Sequence, residues 1–186
     1  MDYFPVEASQ TTITELMIPA YANFGGKVHG GVILSLMDKV AYACATKHAR
    51  HYCVTASVDT VDFRSPVEVG ELVSLHASVN YVGNSSLEIG IRTEALNIRS
   101  GRIKHTNTSY FTMVAVGEDG KPTPVPGLLL QRHEDIRRFL EAMRRRGLAR
   151  RYRQDQQNLK TALEIAQEIP LLQSEKCRIA LTDHPS

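Results

Sequence analysis

The stretch NFGGKVHGGVILSLMDKVAYACA, residues 23–45, carries an aspartate where little else is polar. From Gly31 onward nearly every residue is apolar or small, the exceptions being Ser35, Asp38, Lys39 and Tyr42. Such a helix, greasy around most of its circumference, has the pattern of a buried one. Burying a carboxylate costs several kcal/mol unless it is paired, hydrogen-bonded or used. Asp38 is therefore either matched by a neighbour such as Lys39 or Tyr42, or needed for chemistry.

Outward from this helix the texture turns to strands. Val54, Ala56, Val58 and Thr60 alternate with Thr55, Ser57, Asp59 and Val61 in YCVTASVDTVDF, and ELVSLHASVNYV alternates in the same way. The turn GNSS, residues 83–86, leads into LEIGIRTEALNI, and RSGR leads into IKHTNTSYFTMVAV. Period-two runs joined by short Gly/Asn/Ser turns indicate an antiparallel meander. An earlier strand is expected in TTITELMIP, ended by Pro19. The order is strand, one buried helix, then four strands. That implies an α+β fold in which a long curved antiparallel sheet wraps one central helix, the hotdog arrangement.

The sheet segment stops near GEDGKPTPVPGL, where glycines and prolines oppose regular structure. Beyond it Ile136, Phe139, Leu140 and Met143 follow the helical spacing i, i+3, i+4, i+7. From Arg132 to Arg153 nine arginines face three acids, a local charge of +6 in a chain whose net charge is +2. The chain thus reads as a hotdog domain over 7–126, a basic helix over 129–163 and a tail over 164–186. An arginine run of this kind is a solvated face, a grip for phosphates, or a contact for nucleic acid or acidic membrane. No nucleic-acid fold motif accompanies it, so no nucleic-acid partner is expected.

The chain's 186 residues, 42% of them hydrophobic, suit one domain with an appendage. No apolar run approaches the roughly 20 residues of a membrane span, and the N-terminus lacks a secretory pattern, so neither insertion nor export is expected. Cys44, Cys53 and Cys177 form an odd set without C-x-x-C spacing. They suggest a reducing, cytoplasmic compartment, with Cys44 and Cys53 as small core residues. His48 and His51 lack a third ligand at metal spacing, so no metal is expected. A nucleophilic serine elbow is absent.

Asn23, Gly26, Gly30 and Gly31 form the pattern N-x-x-G-x-x-x-G-G, and Asp38 follows two turns after Gly31 on the same helix face. Glycines at a helix start let a ligand approach free N–H donors, which stabilise an anion or a polarised carbonyl. A carbonyl held at Gly30 or Gly31 cannot also touch Asp38, roughly 10 Å further along the helix. The gap closes if two chains pair with antiparallel helices, which hints at a shared site.

This stretch resembles the hotdog-fold acyl-CoA thioesterases of the ACOT type. The likeness continues through VTASVDTVDFRSPVEVGELV, GNSSLEI and FTMVAVGEDGKPTPVP, in that order, and covers roughly residues 11–126. It implies hydrolysis of fatty acyl-CoA by a homodimer, assembled into a trimer of dimers, with no cofactor beyond the CoA of the substrate. The family's catalytic asparagine and helix aspartate fall on Asn23 and Asp38. Its CoA-contacting strand falls on Thr55, Ala56, Ser57 and Val58, and its serine turn on Ser85, Ser86 and Leu87. A basic residue in the following helix falls nearest Arg146.

Asp38 suits a general base that activates water, or a nucleophile that forms an anhydride. Asn23 suits orienting that water or holding a carbonyl oxygen, or else simply closing a turn. The N–H of Gly31 or Gly30 suits an oxyanion, with His29 beside it. An alternative on the same fold is a non-catalytic acyl-CoA sensor. Against it stand the retained Asn23 and Asp38, and the mere ten or so residues expected before the first strand. A hotdog hydratase would want an Asp and a His a few residues apart at the helix entrance, where this chain has Asn23.

Overall fold

In the computed structural model, which describes residues 2–162 and 169–180, the chain divides into two compact units, 1–143 and 144–186. The first unit begins with strand β1 (Tyr3–Pro5), a single helical turn α1 (Val6–Ser9) and strand β2 (Thr11–Leu16). A 3-10 turn at Pro19–Tyr21 leads to the long helix α2 (Gly30–Ala49). Strands β3 (Tyr52–Val58), β4 (Glu71–Val82), β5 (Ser86–Asn97) and β6 (Ile103–Val116) follow, then β7 (Gly127–Leu129) and helix α3 (His133–Ala162). Five strands form one antiparallel sheet in the order β2-β4-β5-β6-β3, and β1 pairs with β7 in a small parallel ribbon. This is the hotdog fold.

Alternation sends Val73, Leu75 and Val79 of β4, Ile89 and Ile91 of β5, and Phe111 and Met113 of β6 toward α2, all of them buried. They meet Ile33, Met37, Val40, Ala41 and Cys44 of the helix. Each such large apolar side chain contributes about 1.5–3 kcal/mol by leaving water. Cys44 and Cys53 are buried, free core residues, and burial pushes the Cys44 thiol up to about 12.

Several expectations need correction. The helix is not buried on all sides: Leu34, Ser35, Asp38, Lys39 and Tyr42 form an exposed strip along α2. Their spacing of three and four residues puts them on one face. The apolar members of that strip made the whole circumference look internal. Strand alternation breaks in β3, where a bulge at Ala56 shifts the register between Thr55 and Ser57. The Gly/Pro-rich segment does yield one short strand, because β1 lies earlier in the chain than the first expected strand and supplies its partner. Gly127 is required there: a Cβ would lie 2.4 Å from the Tyr3 ring.

His48, at the end of α2, ties that ribbon to the helix. Its Nε2 donates to the Pro126 carbonyl at 3.1 Å, and its ring meets Phe4 edge-on at 5.9 Å. The buried Nδ1 has no partner. Helix α3 starts at His133, and Asp135 in its first turn accepts from the N–H groups of Gln131 and Arg132 and from the Arg132 guanidinium. That is half of a capping box. Within the second unit α3 continues to Ala162, and a 3-10 stretch covers Ile169–Ser174 where only a tail was expected. The expected helix end at residue 163 and much of the tail, 164–168 and 181–186, lie outside the described residues. Among the described residues no helix is long and apolar enough to cross a membrane.

Burial lowers the His48 pKa below its ordinary value near 6.5. The unfolded chain therefore binds a proton that the folded chain refuses. Stability is fully present above the unfolded pKa and is lost as pH falls through that value toward the folded one. Melting curves of wild type and His48→Gln between pH 7.5 and 5 are expected to show a steeper acid-side loss in the wild type. Parallel curves would mean that His48 titrates in the folded protein as it does in the unfolded chain.

Candidate active site

The segment before α2 is a loop closed by Asn23. The Asn23 Oδ1 accepts from the N–H of Gly25 at 2.9 Å and of Lys27 at 3.1 Å, and the Asn23 N–H donates to the Lys27 carbonyl at 2.6 Å. Gly26 takes φ +77°, a conformation that L side chains rarely adopt. Because both donors are backbone N–H groups, the oxygen of this amide is fixed and its orientation is unambiguous. The turn reading of Asn23 is thus correct for its Oδ1. Its Nδ2 is directed outside this pair of bonds and is the part left for chemistry, as a donor.

His29 caps the helix. Its Nδ1 accepts from the Gly31 N–H at 2.9 Å, and a Cβ on residue 31 would lie 2.9 Å from the same ring, so glycine there makes room for the imidazole. The Val32 N–H turns back to the His29 carbonyl. The Gly31 N–H thus donates to the His29 ring in this structure, while the Gly30 N–H, the other first-turn donor expected, has no such contact among the described residues.

Asp38 stands two turns along, on the exposed strip. Thr55 of β3 donates its hydroxyl to Asp38 Oδ1 at 2.5 Å. A single hydroxyl proton serves this carboxylate, so the Thr55 contact to Met113 sulfur at 3.4 Å is secondary. Asp38 is thus not a buried charge in search of a partner: one oxygen is held and, among the described residues, no hydrogen bond reaches the other. Leu34 and Tyr42 lie one turn either side of it on the helix, and these two together with Tyr52 and Val58 of β3 are exposed by 38%, 41%, 60% and 44%. Tyr42 and Tyr52 pack edge-on at 6.0 Å. A carboxylate set among Ser35, Lys39 and exposed apolar side chains on a helix and an edge strand is an unfinished surface.

The remaining expected residues divide. Thr55, Ala56, Ser57 and Val58 form one strand beside Asp38, but the Thr55 side chain serves the aspartate. Ser85 and Ser86 stand at the turn into β5; the Ser85 carbonyl accepts from the Ala115 N–H at 2.8 Å. Met113 is the cross-strand partner of both Thr55 and Leu87, so strand and turn share one level of the sheet, two strands apart. Leu87 itself is fully buried against α2, which leaves only its backbone for a ligand. Arg146 lies on α3 in the second unit. Sequence reading missed the Thr55–Asp38 bond and the His29 cap. A hydroxyl on an edge strand was the available signal for the first, and it needed the register to become meaningful.

Comparison with known proteins identifies the fold and the family. A family model described as the thioesterase superfamily matches residues 25–101. Protein VdlD of Helicobacter pylori is 44% identical over 151 residues, spanning 80% of this chain and 86% of VdlD. A hexameric acyl-CoA thioesterase, solved in its apo form, is 36% identical with TM-score 0.74, covering 88% of this chain and 100% of its own. The acyl-CoA hydrolase of Staphylococcus aureus, solved with butyryl-CoA, CoA and CoA disulfide, is 29% identical with TM-score 0.76, covering 87% and 99%. That hydrolase has also been solved with single alanine replacements of an aspartate, an asparagine and a threonine. With this identity and coverage around a glycine-started helix and its aspartate, the chain belongs to the hotdog-fold acyl-CoA thioesterases of the thioesterase superfamily.

Proposed function

We propose that the protein hydrolyses acyl-CoA to free acid and CoA at a centre shared by two copies of the chain, with Asp38 as base or nucleophile. The observation that carries this reading is the Asp38 carboxylate, oriented by Thr55 through one oxygen and open at the other. Supporting it, the asparagine, aspartate and threonine replaced in the S. aureus hydrolase are spaced as Asn23, Asp38 and Thr55 are here.

In the general-base form, the open Asp38 oxygen takes a proton from water as that water attacks the thioester carbon. Negative charge gathers on the carbonyl oxygen, where the Gly30 N–H and Asn23 Nδ2 are the donors in reach of the chemistry. The C–S bond breaks, and the CoA thiolate recovers the proton from Asp38. In the nucleophilic form Asp38 attacks directly, and water then hydrolyses the mixed anhydride. Gly30 and Asp38 stand eight residues apart on one helix, about 12 Å. The donors therefore come from the partner protomer, across the exposed strip of α2. A homodimer built on that strip, assembled into a trimer of dimers, matches the hexameric state of related thioesterases.

CoA is assigned to Thr55–Val58, to the turn at Ser85 and Ser86 with the Leu87 backbone, and to Arg146. The free thiols of Cys44 and Cys53 suit a cytoplasmic location. A free-thiol assay over a panel of acyl-CoA chain lengths tests the activity itself; no turnover on any member would favour the sensor.

Asp38→Asn keeps an acceptor for Thr55 while removing the charge. It is expected to lower kcat by at least about a hundredfold with the melting temperature held. Near-normal kcat would remove Asp38 from the mechanism. Replacing Arg144, Arg145 and Arg146 together with Ala is expected to raise KM alike for every chain length while kcat changes little. An unchanged KM would make this arginine run a solvated face.

A further inference from the structure

The inner face of the main sheet is apolar along most of its length and polar in one place. Leu87, Ile89 and Ile91 of β5 and Phe111 and Met113 of β6 face α2 from its buried side. Further along the same two rows stand Thr93, Asn107 and Ser109, each fully buried. Thr93 and Asn107 are direct cross-strand partners, and Ser109 is opposite Ile91. The three form a polar island in the core, against Met37 of α2.

This island is poorly satisfied. The Ser109 hydroxyl at 3.6 Å and the Asn107 amide nitrogen at 3.8 Å both donate to the Met37 sulfur. A thioether is a weak acceptor. Among the described residues nothing pairs with Thr93 Oγ1 or Asn107 Oδ1. Turning the Asn107 amide end for end would exchange an unpaired oxygen for an unpaired N–H. Buried polar groups are normally paired, and leaving one without a partner is costly.

The island also adjoins the reacting end of the helix. The chain after β3 runs beside β6: the Asp59 N–H donates to the Tyr110 carbonyl and the Arg64 N–H to the Thr106 carbonyl, both at 3.0 Å. It therefore flanks the part of β6 that carries Asn107 and Ser109. Its Phe63 ring lies 3.6 Å from where a Cβ on Gly30 would stand. An acyl chain whose carbonyl is held at Gly30 thus passes Phe63 on its way to the island. Met37 covers the island with an unbranched, adaptable side chain, which can move aside without disturbing the helix.

We propose that this island reads a hydroxyl on the acyl chain, so that the preferred substrates are hydroxylated acyl-CoA thioesters; this rests on the thioesterase reading above. One hydroxyl donates to Asn107 Oδ1 and accepts from Thr93 Oγ1, which satisfies both unpaired atoms. A methylene leaves both unpaired, and a carboxylate would bring a charge to an island that holds no cation. A site built to hydrogen-bond a substrate hydroxyl rejects the analogue that lacks it.

The test is kcat/KM, by free-thiol assay, on butyryl-, hexanoyl- and octanoyl-CoA, each paired with its derivatives hydroxylated at the β carbon and at the chain end. At least one hydroxylated member is expected to exceed its unsubstituted partner about fivefold or more. Thr93→Val and Asn107→Leu keep the side-chain size, and their melting temperatures verify the fold. Each is expected to bring that ratio down to about one. A polar cluster with a merely structural role would shift the melting temperature and leave the ratio alone. Turnover with every wild-type ratio below about fivefold, or a ratio that persists in either folded variant, overturns the hydroxyl proposal and spares the thioesterase reading. No turnover of any member would remove both.

Discussion

One constraint governs the molecule: a long helix apolar on nearly every side must be covered, and the sheet of its own chain covers only part of it. The strands β4, β5 and β6 take one side, with Met37, Val40, Ala41 and Cys44 fully buried against them. The other side, from Leu34 to Tyr42, is left bare with Asp38 in its middle. Closing that side removes apolar surface from water and at the same time encloses a carboxylate. Packing and chemistry are thus set by the same few side chains.

Strand register converts this arrangement into a site. The bulge at Ala56 lies beside Thr55, whose hydroxyl meets Asp38 at 2.5 Å. A one-residue slip in β3 would turn that hydroxyl to the other face. The glycines before the helix act as precisely placed absences in only one sense each: Gly26 for its positive φ, Gly31 for the His29 ring. The loop they shape consumes the Asn23 oxygen and leaves its amide nitrogen. In the proposed reaction that leaves Asn23 a donor, which suits holding a carbonyl oxygen.

The succession of strands along the chain, the central helix and the glycine-to-aspartate spacing were legible in the sequence, because periodicity and turn residues are local signals; the expected meander holds only for β4, β5 and β6, since β3 crosses over to pair with β6 at the sheet edge. The exposure of Asp38 was not, since a helix covered by a second surface and one covered by its own chain share the same apolar pattern. The Thr55–Asp38 bond joins residues 17 apart through a bulge that alternation alone does not reveal. The inward phase of β5 buries the Leu87 side chain, a feature the motif alone does not show, so any contact with CoA there falls to its backbone. The ribbon of β1 and β7 escaped notice because three-residue strands carry no period.

The most direct test of a centre completed across two chains is complementation. Asn23→Ala and Asp38→Ala preparations, each inactive alone, are mixed and allowed to exchange subunits, with mass spectrometry following heterodimer formation. Heterodimers are expected to regain a fraction of wild-type turnover, because one of their two centres carries both Asn23 and Asp38. Heterodimers that form and stay inactive would place both residues in service within a single chain.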